Sequence, residues 1–250
     1  MLSESEKLKN DGETDASQSG VIDFVTRRVR FCKTGSMQYI SHLDLQRTLM
    51  RVMTRAKIPL WFTKGFNPHP KVVFAMPLSV GSESVCELMD VRLRDDASMS
   101  EAEMMAALNA QLTDELAVKA VYTPERKFSD IAYAVYRCVI HTTGADAQLT
   151  ERINDTLSSG ELKMIKRTKS GDKEVDILPQ IHSAHASFDA VAGNILLDMT
   201  LSATMDRFLN PELVLTALKS KCGILQGDLM QEWYTILRTS ILDSDEKVFE

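Results

Sequence analysis

The side chains best suited to chemistry in this 250-residue sequence crowd into one stretch, 27–71. It holds ten basic residues, Arg27, Arg28, Arg30, Lys33, Arg47, Arg51, Arg55, Lys57, Lys64 and Lys71, against a single acidic one, Asp44, a local balance of +9. The whole chain carries −6, its first 26 residues −4 and everything after Lys71 −11, so a concentrated positive field sits inside an acidic protein. Ser41-His42-Leu43-Asp44 reads as a helix start, with Ser41 as N-cap and Asp44 placed to complete a capping box. Free N–H groups and the positive end of the helix dipole would let Ser41 and His42 receive a phosphate. Arg47, Arg51 and Arg55 follow at i, i+4 and i+8, which puts them on one helix face. The ordinary alternative is a capped helix with a solvated arginine face, although such faces usually mix charges of both signs.

Lys64 introduces the second feature, Gly65-Phe66-Asn67-Pro68-His69-Pro70. Two prolines fix φ and restrict the residue before each, so the loop is stiff. Asn67 and His69 offer hydrogen bonds and Phe66 offers a ring that can stack on a base. The same residues also fit a plain crossover between strands, with Phe66 in the core. His42 and His69 are the candidates for general acid–base work because imidazole titrates near neutral pH, yet no Ser/His/Asp or Cys/His spacing supports them. His182 and His185 stand at i, i+3 without a further ligand, so a solvated or capping role is expected and no metal is implied. A second basic cluster, Arg137, Lys163, Lys166, Arg167 and Lys169, is flanked by Glu161 and Asp172 and reads as a solvated hairpin.

These groups need a scaffold. Residues 25–33 alternate at period two and predict a strand, and 41–59 a helix ended by Pro59. Short strands at 60–64 and 72–76, a strand at 85–93, a helix from Ser100 to about 112 and a strand at 117–122 follow. That order is βαββαβ, the ferredoxin-like arrangement. It recurs as strand 133–141, helix 147–157, strands 162–167, 174–181 and 195–201, a helix from Asn210 to Lys219 with Gly223 as its stop, and strand 233–238. The expected architecture is therefore α+β: a disordered tail at 1–20, a first ferredoxin-like half at 21–126 and a second at 127–250.

The bulk properties agree with a globular cytoplasmic protein. The chain is 44% hydrophobic with 13 Met and only 6% aromatic residues, so aliphatic and Met packing should fill the core. No apolar run is long enough to span a bilayer, and the N-terminus has no secretory pattern. Cys32, Cys86, Cys138 and Cys222 stand singly, without C-x-x-C spacing, and read as idle thiols in a reducing compartment. No cofactor is implied.

Lys33-Thr34-Gly35, Ser41 to Asp44, Arg55 to Pro59, Gly65 to Pro70, Pro77 to Gly81 and the later EVDILPQI (174–181) together resemble the radical SAM-linked protein family, a bacterial domain of unknown function. The resemblance covers roughly 25–242. It implies a partner, a radical SAM protein to which such domains are fused or beside which they are encoded. This chain has no C-x-x-x-C-x-x-C cluster motif and so resembles the stand-alone accessory version. The family brings no catalytic residue to carry over.

The leading expectation is a non-catalytic recognition module that holds RNA or another polyanion through Ser41, His42, Arg47, Arg51, Arg55, Lys64, Asn67 and His69. A protein–protein adaptor docking on a radical SAM enzyme, and an RNA-processing enzyme using His42, are the alternatives.

Overall fold

The computed structural model describes residues 23–250 apart from 97, 169, 170 and 229, with the backbone alone at 166–168. The expected disordered tail and Lys169 lie outside the described residues. Period-two alternation produces β1 (Phe24–Lys33), which fully buries Val29 and Phe31 on one face. A 3-10 turn (Gly35–Tyr39) leads into α1 (His42–Arg55), whose buried stripe is Leu45, Leu49, Val52 and Met53. Next come β2 (Val72–Phe74), β3 (Ser82–Arg94), α2 (Glu101–Asn109) and β4 (Val118–Tyr122). The second half contributes β5 (Ile131–His141), α3 (Ala147–Leu157), a hairpin of β6 (Lys163–Thr168) and β7 (Gly171–Asp176), then β8 (Ile181–Asp189), β9 (Asn194–Ser202), α4 (Pro211–Cys222) and β10 (Trp233–Asp243).

Apart from the β6–β7 hairpin, the strands form one large mixed sheet in the order β4-β1-β3-β10-β5-β9-β8, with β2 also paired to β3. Every pairing is antiparallel except the seam between the halves, where Ile236, Leu237 and Arg238 of β10 run parallel to Ser82, Glu83 and Ser84 of β3. Two apolar clusters result. One joins Val29, Phe31, Met89 and Val91 of the sheet to α1 and α2. The other joins Tyr136, Cys138, Ile140 and Leu197 to Leu149 and Ile153 of α3 and to Val214 and Leu218 of α4.

The seam is polar and buried. Arg238 and Glu87 are buried there and ion-paired, with Arg238 Nε also donating to Glu87 Oε1 at 3.1 Å. Lys33, only 1% exposed, donates to the carbonyls of Gln38 (2.9 Å) and Ser82 (3.3 Å). Burial pulls the Lys33 ammonium below its usual range, and Glu87 opposes that shift. Gly35, two residues on, has φ +55°, a left-handed conformation that favours glycine. The Lys33-Thr34-Gly35 turn is therefore structural.

Three local expectations fail. Residues 60–64 are not a strand. Between Pro59 and Pro70 they make only the single bridges Leu60–Leu93 and Phe62–Pro70, because proline removes the N–H groups a ladder needs. Residues 174–181 are not one strand either: β7 stops at Asp176, a 3-10 turn spans Leu178–Gln180, and a separate strand, β8, begins at Ile181. β8 is an edge strand rich in Ala, Ser and His, too polar to announce itself by hydrophobicity. Finally, α2 ends at Asn109 rather than near 112.

The cap residues behave as their chemistry requires. Ser41 Oγ accepts from Asp44 N at 3.1 Å, but the Asp44 carboxylate takes the Ser41 hydroxyl (2.7 Å) instead of the Ser41 N–H, so the box is half made. Ser100 and Glu103 complete theirs, and Asn210, Pro211 and Gly223 bound α4 as expected. Burial pushes the Cys86 thiol up to about 11 and Cys138 up to about 12, which keeps both protonated and unreactive. No helix among the described residues is long and apolar enough to cross a membrane.

Candidate functional site

Helical spacing sorts the α1 side chains by direction. At ~100° per residue, His42 lies about 60° to one side of Leu45, while Arg55, Arg51 and Arg47 lie about 80°, 120° and 160° to the other. The His42 flank meets β2: its ring stands edge-on to Phe74 with centroids 5.4 Å apart, and its Nε2 is 2.9 Å from Gln46 Nε2. Among the described residues no carboxylate, thiol or hydroxyl lies within hydrogen-bond reach of His42. The arginine flank is open to solvent, and Arg47, Arg51 and Arg55 are all exposed.

The proline loop is a small braced unit. Thr63 N donates to His69 O (2.9 Å), His69 N donates to Thr63 Oγ1 (3.1 Å), and His69 Nδ1 lies 3.2 Å from the Asn67 carbonyl and 3.2 Å from Thr63 Oγ1. His69 thus holds the loop's shape. Asn67 and His69 are exposed, Phe62 is half exposed, and Phe66 stands fully in solvent rather than in the core. Trp61 instead packs on Phe24 and donates Nε1–H to Asp23 (2.9 Å). Among the described residues no hydrogen bond, ion pair or ring contact joins the arginine stripe to this loop. The structure brings His42 to β2, Asn67 and His69 to each other, and leaves Arg47, Arg51 and Arg55 together on a separate flank.

Carboxylates from within the basic stretch and from outside it pair with half of its cations. Arg27 meets Glu101 (3.6 Å), Arg28 forms a two-point contact with Asp90 (2.8 and 2.9 Å), Arg30 meets Glu250 (3.5 Å), Arg47 meets Asp44 (3.3 Å) and Lys64 meets Asp23 (3.0 Å). The Lys64 contact holds the Asp23 carboxyl below its usual range, and the Ser41 hydroxyl, ahead of Arg47, does the same for Asp44. Lys33 is spent on carbonyls at the seam. That leaves Arg51, Arg55, Lys57 and Lys71, all exposed and without an acidic partner among the described residues.

Lys57 and Lys71 join the candidate residues because they too are exposed and lack an acidic partner among the described residues. Lys57 carried a readable signal, since it follows the last turn of a helix two residues before Pro59, where a left-handed residue is common. Its φ is +54°, with Ile58 N bonded to Met53 O (3.0 Å) and Lys57 N to Thr54 O (3.1 Å), the six-to-one and five-to-two bonds of a Schellman end. Glycine normally takes that position. A lysine there stores backbone strain and keeps a charge at the end of the arginine flank.

Elsewhere, His182 and His185 lie on β8. His182 Nε2 approaches Glu246 Oε1 at 3.0 Å and its ring packs on Tyr133. No group of three or more His, Cys, Asp or Glu able to hold a metal occurs among the described residues. In the second basic cluster, Arg137 pairs with Asp198 (2.8 Å) and Lys163 with Glu161 (2.7 Å).

No curated protein matches the chain. Among solved structures, one described as the crystal structure of a Cbf5-Nop10-Gar1 complex aligns over 86% of this chain at 8% identity and a TM-score of 0.45; the chain spans about half (48%) of its length. The family model described as an uncharacterized protein conserved in bacteria, DUF2344, matches residues 27–211, and the chain belongs to that family.

Proposed function

We propose that this protein is a non-catalytic recognition module that holds a polyanion, with single-stranded RNA as the ligand class, against the outer flank and C-terminal end of α1. One observation carries the reading: of ten cations in 27–71, Arg51, Arg55, Lys57 and Lys71 remain exposed without a carboxylate among the described residues, while Lys33 is buried and the other five are paired. Phe66 and Phe62, exposed on the proline loop, supply rings for base stacking, which tolerates any sequence. We read the scaffold as two tandem ferredoxin-like halves. The strand orders β4-β1-β3-β2 and β10-β5-β9-β8, each antiparallel with two helices, support this, with the β6–β7 hairpin as an insertion. The test is binding of labelled single-stranded RNA by the full chain and by a variant carrying Arg51→Gln, Arg55→Gln, Lys57→Gln and Lys71→Gln. Binding that weakens steeply with salt and is lost in the variant is expected; salt-insensitive binding, or none, overturns the proposal.

A second reading is favoured by a separate feature. Tyr39, Leu43 and Val80 are exposed around the N-terminal end of α1, and Gly81 N bonds Gln38 O (2.9 Å), which holds the 77–81 segment against that end. This apolar surface suits an adaptor docking on a radical SAM enzyme, the partner that the motif resemblance implies. Nuclease-resistant co-purification with such an enzyme, abolished by Leu43→Asp, supports it; co-purification unchanged by that substitution removes it.

A further inference from the structure

A cleft of about 540 Å³ lies away from α1, over the face of β1 and β4 opposite Val29 and Phe31. Its floor is set by register: Arg28 is paired with Tyr122 and Arg30 with Ala120 across the two strands, so these side chains share one face. Its walls are the connection leaving β4, with Glu125 and Arg126, and the segment with Val248 and Glu250. Arg126 ties the walls together, ion-paired to Asp243 and donating to the Val248 carbonyl at 3.2 Å. Phe249 anchors the same segment, buried beneath the Arg28 guanidinium, whose centre lies 5.1 Å from the ring centroid.

The polar groups around this cleft are unusually incomplete. Arg28 is fully buried; Asp90 and the Arg126 carbonyl take its Nε and Nη2, yet Nη1 has no hydrogen-bond partner among the described residues. Arg30 Nε and Tyr122 Oη, both buried atoms, are in the same condition. A buried donor without a partner is costly, and two of these residues, Arg30 and Tyr122, line the cleft itself. The Tyr122 phenol is raised by burial, against the pull of Arg28 and Arg30, and so remains a donor. One acceptor already points the way: Glu250 Oε1 stands 3.5 Å from Arg30 Nη1, too far for a strong bond and exposed enough to leave.

We propose that this cleft is a binding site for a small molecule carrying an oxyanion, a phosphate or a carboxylate, which takes the place of the Glu250 carboxylate on Arg30 and accepts from Tyr122 Oη. The volume falls in the range of small-ligand sites. Glu250 acts as an internal competitor, and Glu125 disfavours ligands with negative charge spread beyond one end. This site is independent of the α1 surface.

The test is thermal unfolding of the full chain with inorganic phosphate, adenosine monophosphate or succinate, which separates phosphate from carboxylate sources. At ten times Kd the wild type should gain about 3–5 °C with at least one probe. Glu250→Gln should reach the same shift at a lower probe concentration. Arg30→Gln and the near-isosteric Tyr122→Phe should each reduce the shift, whereas Arg51→Gln with Arg55→Gln should leave it intact. No shift with any probe in either wild type or Glu250→Gln, or a shift untouched by Arg30→Gln and Tyr122→Phe, overturns the proposal. A shift lost only with the α1 arginines assigns the anion to α1 and also overturns it.

Discussion

Replacing Lys57 by glycine should move stability and polyanion binding in opposite directions. The residue sits at φ +54° in the Schellman end of α1. A non-glycine residue in the left-handed region costs about 1–2 kcal/mol, while glycine gives back about 0.5–1 kcal/mol through its greater freedom in the unfolded chain. The net gain for Lys57→Gly is therefore about 0.5–1 kcal/mol, or roughly 1–4 °C in Tm for a chain of this size. The charge effect is separable by salt. If Arg51, Arg55, Lys57 and Lys71 each neutralise one phosphate, log K against log salt should have a slope of about −2.8, and affinity should fall about 50-fold between 50 and 200 mM. Without Lys57 the slope should be about −2.1 and the fall about 18-fold. Fluorescence anisotropy with a labelled single-stranded RNA at three salt concentrations measures the slope, and urea melts measure stability. An unchanged slope would show that Lys57 touches no phosphate. A destabilised Lys57→Gly would refute the strain argument, and Lys57→Asn, which tolerates the same φ, provides the check on that arm.

Two further outcomes concern the scaffold. At the seam between the halves, Arg238→Met should cost about 3–5 kcal/mol because it strands a buried Glu87, and Glu87→Leu should cost more than Arg238→Met because it strips Lys33 as well as Arg238 of their carboxylate. Denaturant melts of both single variants and the double variant should show the double less destabilised than the sum; strict additivity would mean that the pair is not coupled. Glu232 accepts from Gly227 N (2.5 Å), Thr143 N (2.7 Å) and Thr142 Oγ1 (3.2 Å), and these bonds, led by Gly227, pull its pKa from 4.5 down to about 2. A folded-state pKa below the unfolded one stabilises above pH 4.5, and that stabilisation is lost as pH falls towards 2. The stability gap between wild type and Glu232→Gln should shrink over that window in thermal melts, and a gap that does not change with pH contradicts the assignment.

Much of the element order was legible because local chemistry carried it. The alternation of β1, the apolar stripe of α1, the Ser100 start of α2 and the Asn210-Pro211 start of α4 all depend on neighbours within four residues. What escaped depends on tertiary position. β8 could not be separated from the segment before it, because an edge strand needs apolar residues on only one face, and here Ala184 and Ala186 supply little signal. The single sheet spanning both halves was invisible as well: the parallel contact of β10 with β3 joins residues about 150 positions apart, as the Arg238–Glu87 separation of 151 shows. No periodicity encodes that.

The candidate surface shows the same division more sharply. A count along the sequence gave nine net positive charges between Arg27 and Lys71, but charge along a chain is not charge on a surface. Arg28 is neutralised 62 positions away by Asp90, and Arg30 meets a carboxylate 220 positions away. Lys33, which looked like part of a basic patch, is a buried strut whose three donors suit carbonyls at the seam, and Gly35 beside it takes the left-handed φ of +55° that favours glycine. The motif residues therefore do different jobs. Arg28 and Lys33 spend donors inside the fold, whereas Arg51, Arg55, Lys57 and Lys71 stay exposed without a carboxylate among the described residues. The polyanion proposal rests on these exposed cations, and the cleft proposal on the unpartnered buried atoms of Arg30 and Tyr122.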